Sequence, residues 1–148
     1  MSSLLLHKVP DPVLHEKCKE IPEITQDIFE LAQNMKETME VENGVGLAAP
    51  QVGQLVRLFV VAHKDGNLAF INPEITWRSE EMKEGEEGCL SIPGVFLQIN
   101  RHESIKVRFF DEHGKEHHIL AKGFFARVIQ HENDHLDGIL ITDKVNEK

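Results

Sequence analysis

The sequence predicts an α+β fold: antiparallel strands combined with one long helix near the N-terminus and a second helix near the C-terminus. Three observations predict it. Between Thr25 and Glu42, Ile28, Leu31, Ala32, Met35 and Met39 recur at helical spacing with charged residues between them. In the middle of the chain, apolar stretches flank turn-forming residues: 56–62 and 68–71 about Asp65-Gly66-Asn67, and 105–110 and 117–121 about Asp111-Glu112-His113-Gly114. Residues 124–136 are largely apolar and contain His131-Glu132-Asn133-Asp134-His135. On a helix, residues four apart share a face, so the two imidazoles stand side by side.

At 148 residues the chain fits a single domain, 1–148. A domain of this size buries roughly 70% of the surface its unfolded chain exposes, so it needs no disulfide staple. The net charge of -9 argues against a nucleic-acid partner and against an anionic membrane surface. Two cysteines, Cys18 and Cys89, are too few for a secreted disulfide framework and fit a reducing compartment. No apolar run is long enough to span a membrane, and Leu4-Leu5-Leu6 is too short for the core of a signal peptide. The expected location is cytoplasmic.

In chain order, residues 3–8 are expected to form a short strand, and Asp11-Pro12 to start a helix or turn with Asp11 as its cap. Cys18 reads as a small, partly buried residue. Thr25 caps the long helix, and Asn43-Gly44 stops it. Gly44-Val45-Gly46-Leu47-Ala48-Ala49-Pro50-Gln51 has the spacing of a dinucleotide-binding turn. However, a helix precedes it where a strand is needed, and Pro50 obstructs the helix that must follow. It reads instead as a glycine-rich loop whose backbone comes close to another group. Residues 75–77 extend or pair with the strand at 68–71. Residues 80–87 are acidic and read as a solvated loop, after which 88–94 turn apolar. His113, His117 and His118 are polar positions of a hairpin. Gly138 ends the second helix.

Two imidazoles at this spacing can share one metal ion, and Glu132 can hold a proton beside it. A catalytic metal needs a third protein ligand. Cys89, between Gly88 and Leu90, is the candidate, because a thiolate beside two imidazoles binds a cation strongly.

The segments 44–51, Glu87-Gly88-Cys89-Leu90-Ser91 and Gln130-His131-Glu132-Asn133-Asp134-His135 resemble the three signature motifs of peptide deformylases, in the family's order and at similar separations. The likeness runs from the N-terminal strand to Leu140. It implies antiparallel or mixed sheets packed around a central C-terminal helix. It also implies removal of the formyl group from the N-terminal formyl-methionine of nascent polypeptides, with release of formate. The implied metal ligands are Cys89, His131 and His135. The implied ion is one divalent metal, Fe²⁺ first, with Zn²⁺, Ni²⁺ or Co²⁺ able to replace it.

Glu132 is then the proton carrier for a metal-activated water. The metal, the Gln51 amide and the Leu90 backbone N–H stabilise the oxyanion, and losing one such donor raises a barrier by about 2.7–4 kcal/mol. The peptide is expected to pair as an edge strand beside Gly44, Val45 and Gly46, with Glu87 and Gly88 contributing from the second motif. Val45, Phe124 and Val128 are the candidates for the methionine pocket, and Glu87 with Arg101 is expected to form either an ion pair that braces the second motif or a solvated pair worth little. The residues after His135 are too few, and too broken by Gly138, for the ribosome-docking helix of many bacterial members. Contact with the ribosome is therefore expected to be transient. Two other functions share parts of this pattern: a zincin-like endopeptidase, and a non-enzymatic module binding peptide N-termini.

Overall fold

A computed structural model describes residues 4–145. The elements are α1 (Gln26–Val41), β1 (Gly46–Ala48), β2 (Leu58–Val61), β3 (Leu68–Arg78), β4 (Met82–Cys89), β5 (Ile92–His102), β6 (Ser104–Phe110), β7 (Glu116–Lys122), α2 (Gly123–Leu136) and a short α3 (Ile141–Lys144). Short 3-10 turns at Pro12–His15 and Ala49–Val52 complete the secondary structure. Five strands form one antiparallel sheet in the order β1-β2-β3-β6-β7, and β4 pairs with β5 in a separate ribbon.

The apolar run at β2 is continuous because both of its faces are covered. Leu58 and Val60 pack with Ala32, Met35 and Met39 of α1. Phe59 and Val61, pointing the other way, pack with Ala126 and Ile129 of α2. Strand β3 divides in the same manner, with Ala69 and Ile71 on the α1 side and Phe70 on the α2 side. Phe59 pairs with Phe70 across the strands, and Phe70 meets the Phe109 ring with centroids 4.0 Å apart. The sheet therefore lies between the two long helices, and α2 is held at the centre. Full burial of Ile129 and Leu136 contributes about 1.5–3 kcal/mol each. The ribbon packs on a third cluster, in which Ile92 and Ile99 meet Leu14, Leu140 and Ile141.

Thr25 caps α1 by accepting the Ile28 N–H, and Asn43, at φ 58°, ends it. Asp11 caps the first 3-10 turn. Gly138, at φ 74°, follows α2 and donates its N–H to the His135 carbonyl.

Three expectations are corrected. Residue 3 lies outside the described residues, and residues 4–8 form no strand. They run as a segment whose His7 N–H donates to the Gln51 carbonyl, while Val9 N–H donates to the Ser91 carbonyl. Residues 80–87 are not a solvated loop. Most of them belong to β4, whose Lys83, Glu84 and Glu86 side chains face water while Glu87 is buried and the backbone pairs with β5. Segment 44–51 is only partly a loop, because residues 46–48 pair with β2 and 49–52 form a 3-10 turn. Among the described residues no helix is long and apolar enough to cross a membrane.

Candidate metal centre

The ribbon and α2 meet at the end of β4. Cys89 is its last residue, and His131 and His135 occupy successive turns of the facing helix. The donor atoms of these three residues lie within 4.8 Å of one another, and among the described residues no other group of three or more His, Cys, Asp or Glu is so disposed. Cys89 Sγ is 3.4 Å from His135 Nε2. Ligands at metal–sulfur and metal–nitrogen distances of about 2.3 and 2.0 Å in a tetrahedron stand about 3.3–3.7 Å apart, so this edge is ready-made for a cation.

A buried ion-pair network fixes the ligands. Glu87 receives two bonds from Arg101, from Nε and Nη2, both at 2.9 Å, and one from Arg127 Nη1 at 2.6 Å. Its Oε1 also lies 2.9 Å from His131 Nδ1. That bond assigns the His131 proton to Nδ1 and turns the Nε2 lone pair toward the metal position. Arg101 also binds Asp134 on α2. Burial alone raises the Glu87 pKa, but the Arg101 and His131 bonds outweigh it and hold the carboxyl at about 2.

Burial opposes charge on His131, yet Glu132, Cys89 and Glu87 together raise its pKa to about 10 when it has protein neighbours alone. A cation at Nε2 would take the place of the proton those anions attract. His135 is pushed well below its usual range, by burial first and then by the positive charges of His131 and Arg101. A neutral imidazole is the form that ligates.

Glu132 is 4% exposed, and its Oε1 has no hydrogen-bond partner. Burial raises its pKa to about 7 against the opposing charge of His131. Its Oε2 stands 3.9 Å from His131 Nε2. The group that the glycine-rich segment approaches is this carboxylate. A Cβ on Gly46 would fall 2.5 Å from Glu132 Oε2, so only glycine lets β1 pass so close.

Gln51 sits in the 3-10 turn after β1 and is 1% exposed. Its Oε1 accepts the Ala48 N–H at 2.9 Å, and its Nε2 donates to Ser91 Oγ at 3.0 Å and lies 3.6 Å from Cys89 Sγ. A cavity of about 450 Å³ opens over these groups, lined among others by Gly44, Val45, Gly46, Gly88, Leu90 and Phe96. Cys89, His131, Glu132 and Gln51 reach it.

Some residues assigned from sequence fall elsewhere. Glu87 is buried behind His131 instead of lining the cavity. Phe124 and Val128 share the α2 face of His131 and His135 by spacing but do not line the cavity. Val128 is buried in the core beside β2, and Phe124 is 65% exposed. Sequence reasoning missed Arg127 and Asp134. An arginine inside an otherwise apolar helix run was the available signal for the first. Ser91 was quoted only as the end of a motif.

The match to known proteins covers nearly the whole chain. The family model described as polypeptide deformylase matches residues 4–148. A peptide deformylase of Dictyoglomus thermophilum is 48% identical over 143 residues, covering 97% of this chain and 93% of the relative. The crystal structure of the Thermotoga maritima peptide deformylase superposes with a TM-score of 0.94 at 41% identity, over 96% of this chain and 97% of that one. A Synechococcus elongatus peptide deformylase in complex with actinonin superposes with a TM-score of 0.92 at 40% identity, over 95% and 78%. With the Cys-His-His group, the buried glutamate and this likeness together, the chain belongs to the polypeptide deformylase family.

Proposed function

We propose that Cys89, His131 and His135 hold one divalent cation, and that Glu132, Gln51 and Leu90 carry out deformylation of N-formyl-methionyl peptides beside it. The carrying observation is the convergence of one sulfur and two imidazoles within 4.8 Å, with a buried, partnerless carboxylate oxygen next to them. The ion, when bound, supplies Lewis acidity, which lowers the pKa of water and draws charge onto a carbonyl oxygen. A mixed thiolate and imidazole set suits borderline ions. We assign Fe²⁺ as the working ion, with Zn²⁺, Ni²⁺ and Co²⁺ as alternatives.

The rest is the work of the protein's own groups. Glu132 takes a proton from the attacking water as the water oxygen bonds to the formyl carbon. The Gln51 amide and the Leu90 N–H offer donors to the oxygen that gains charge. When the carbon–nitrogen bond breaks, Glu132 returns the proton to the amine, and formate leaves. The peptide lies extended beside Gly44, Val45 and Gly46, across from Gly88. We assign its methionine side chain to the cavity beside Val45; Phe124 and Val128, the other two sequence candidates, lie outside that cavity. Glu87 braces His131.

The endopeptidase alternative calls for a histidine or glutamate as third ligand, a place taken here by Cys89. We place the reaction in the cytoplasm and treat ribosome contact as transient. Leu140 and Ile141 are buried against the ribbon, so the start of α3 is occupied by the domain itself.

Formate release from formyl-Met-Ala, measured with elemental analysis on anaerobically purified protein, tests the reading. Turnover with one metal per chain is expected. Turnover that survives Cys89→Ala sinks the ligand assignment. If iron is the ion, activity decays faster in air than under nitrogen, and equal half-lives count against it.

A further inference from the structure

We propose that Ser91 is a positioning residue for this reaction: its hydroxyl, aimed by the His7 carbonyl, locks the Gln51 amide with Nε2 toward the reacting carbonyl. The inference rests on the function assigned above and extends it to a residue that touches neither substrate nor metal.

Ser91 is fully buried, and its Oγ donates its single hydrogen to the His7 carbonyl at 2.7 Å. A hydroxyl has one proton, so once that proton is committed only lone pairs face Gln51. They accept from Gln51 Nε2 at 3.0 Å. At the other end of the amide, the Ala48 N–H occupies Oε1 at 2.9 Å. A flipped amide would set its oxygen against the Ser91 lone pairs and the Cys89 sulfur, and its NH₂ against the Ala48 N–H. All of these contacts are unfavourable.

The orientation is fixed from outside the motif. The segment through His7 and Val9 is tied to both functional turns, because His7 N–H donates to the Gln51 carbonyl at 2.7 Å and Val9 N–H to the Ser91 carbonyl at 2.9 Å. One N–H of Nε2 goes to Ser91. The other points near Cys89 Sγ at 3.6 Å, a long contact that a substrate oxygen can replace. Ser91 thus chooses which end of Gln51 the substrate meets.

A double-mutant cycle on zinc-loaded protein tests this. Ser91→Ala is expected to lower kcat on formyl-Met-Ala by about tenfold to a hundredfold, less than the roughly 10²–10³-fold for losing the donor itself. KM and metal stoichiometry stay within twofold of the wild type. In a Gln51→Ala background the same change lowers kcat by less than about twofold, because no amide remains to be aimed. An equal factor in both backgrounds, or an unaltered kcat in Ser91→Ala, overturns the proposal.

NMR of the zinc-loaded, ¹⁵N-labelled protein gives a readout independent of turnover. In the wild type one Gln51 side-chain amide proton is expected to be shielded from exchange, and Ser91→Ala to abolish the shielding. Fast, equal exchange of both protons in the wild type overturns the proposal even where Ser91→Ala does not fold. If the wild type releases no formate, the functional reading fails instead, and the NMR result still reports on the Ser91–Gln51 bond.

Discussion

Glu132 illustrates how much of the site one residue carries. Its carboxylate is buried, has an unpartnered oxygen and is pushed up to about 7, so it can hold and release a proton near neutrality. Glu132→Gln preserves shape and metal content but cannot take the proton. Its kcat is expected to fall by about 10²–10⁴-fold with one metal retained per chain, as read by steady-state kinetics and elemental analysis. Gly46→Ala tests the same group from the other side, because the added methyl meets Glu132 Oε2 on a strand paired with β2. Displacing the carboxylate by about an ångström is expected to cost about a hundredfold in kcat. The grouping of Cys89, His131 and His135 was legible in the sequence because residue type and the four-residue helical spacing point to it. Arg127, Asp134 and Ser91 were not, because each acquires its role only from a partner at another place in the chain: Glu87, Arg101 and His7.

At the scale of elements, the helices and the main sheet follow from periodicity, whereas β4 does not. Met82-Lys83-Glu84-Gly85-Glu86-Glu87 shows no alternation, because most of its side chains are exposed and its strand state comes from backbone pairing to β5. Glycines within it allow close contact: a Cβ on Gly85 would meet the Arg127 guanidinium at 2.9 Å, where that side chain crosses the strand to reach Glu87. The turn between β6 and β7 is pinned to α1 through Glu112, which accepts from Lys36 and Gln33. Burial pushes the Glu112 pKa up, but the Lys36 bond, a backbone bond, the Lys36 charge and the Gln33 bond together more than reverse this and leave it lowered from the ordinary 4.5. A carboxyl with a depressed folded pKa adds stability above its unfolded value. That stability is lost as pH falls from about 4.5 through the folded value. Glu112→Gln is expected to lower stability at pH 7 by about 1–3 kcal/mol and to flatten the decline below pH 4.5, as followed by urea unfolding across pH.

For the whole molecule, the fold class was legible because α1, α2 and the β2–β3 and β6–β7 pairs announce themselves by period. The division into a five-stranded sheet and a separate ribbon was not, since pairing is a tertiary choice. That division has an energetic consequence. The ribbon brings Cys89 and the helix brings both histidines, so a cation held as proposed would bind the folded chain and have no preformed site in the unfolded one. Removing it with a chelator is expected to lower Tm. The loss approaches about 4 kcal/mol if the free ion had stood a thousandfold above its dissociation constant. Calorimetry before and after re-addition of metal measures it, and an unchanged Tm would show that the ribbon is held by packing alone.

Synthesis proceeds from the N-terminus, so the sulfur donor leaves the ribosome well before either imidazole. On the proposed assignment, the residues of α1, the ribbon and the sheet are all made while two of the three donors are still to come. Metal capture, on that assignment, waits for α2, which carries both imidazoles. The proposed site is complete only once the helix that closes the core has been made.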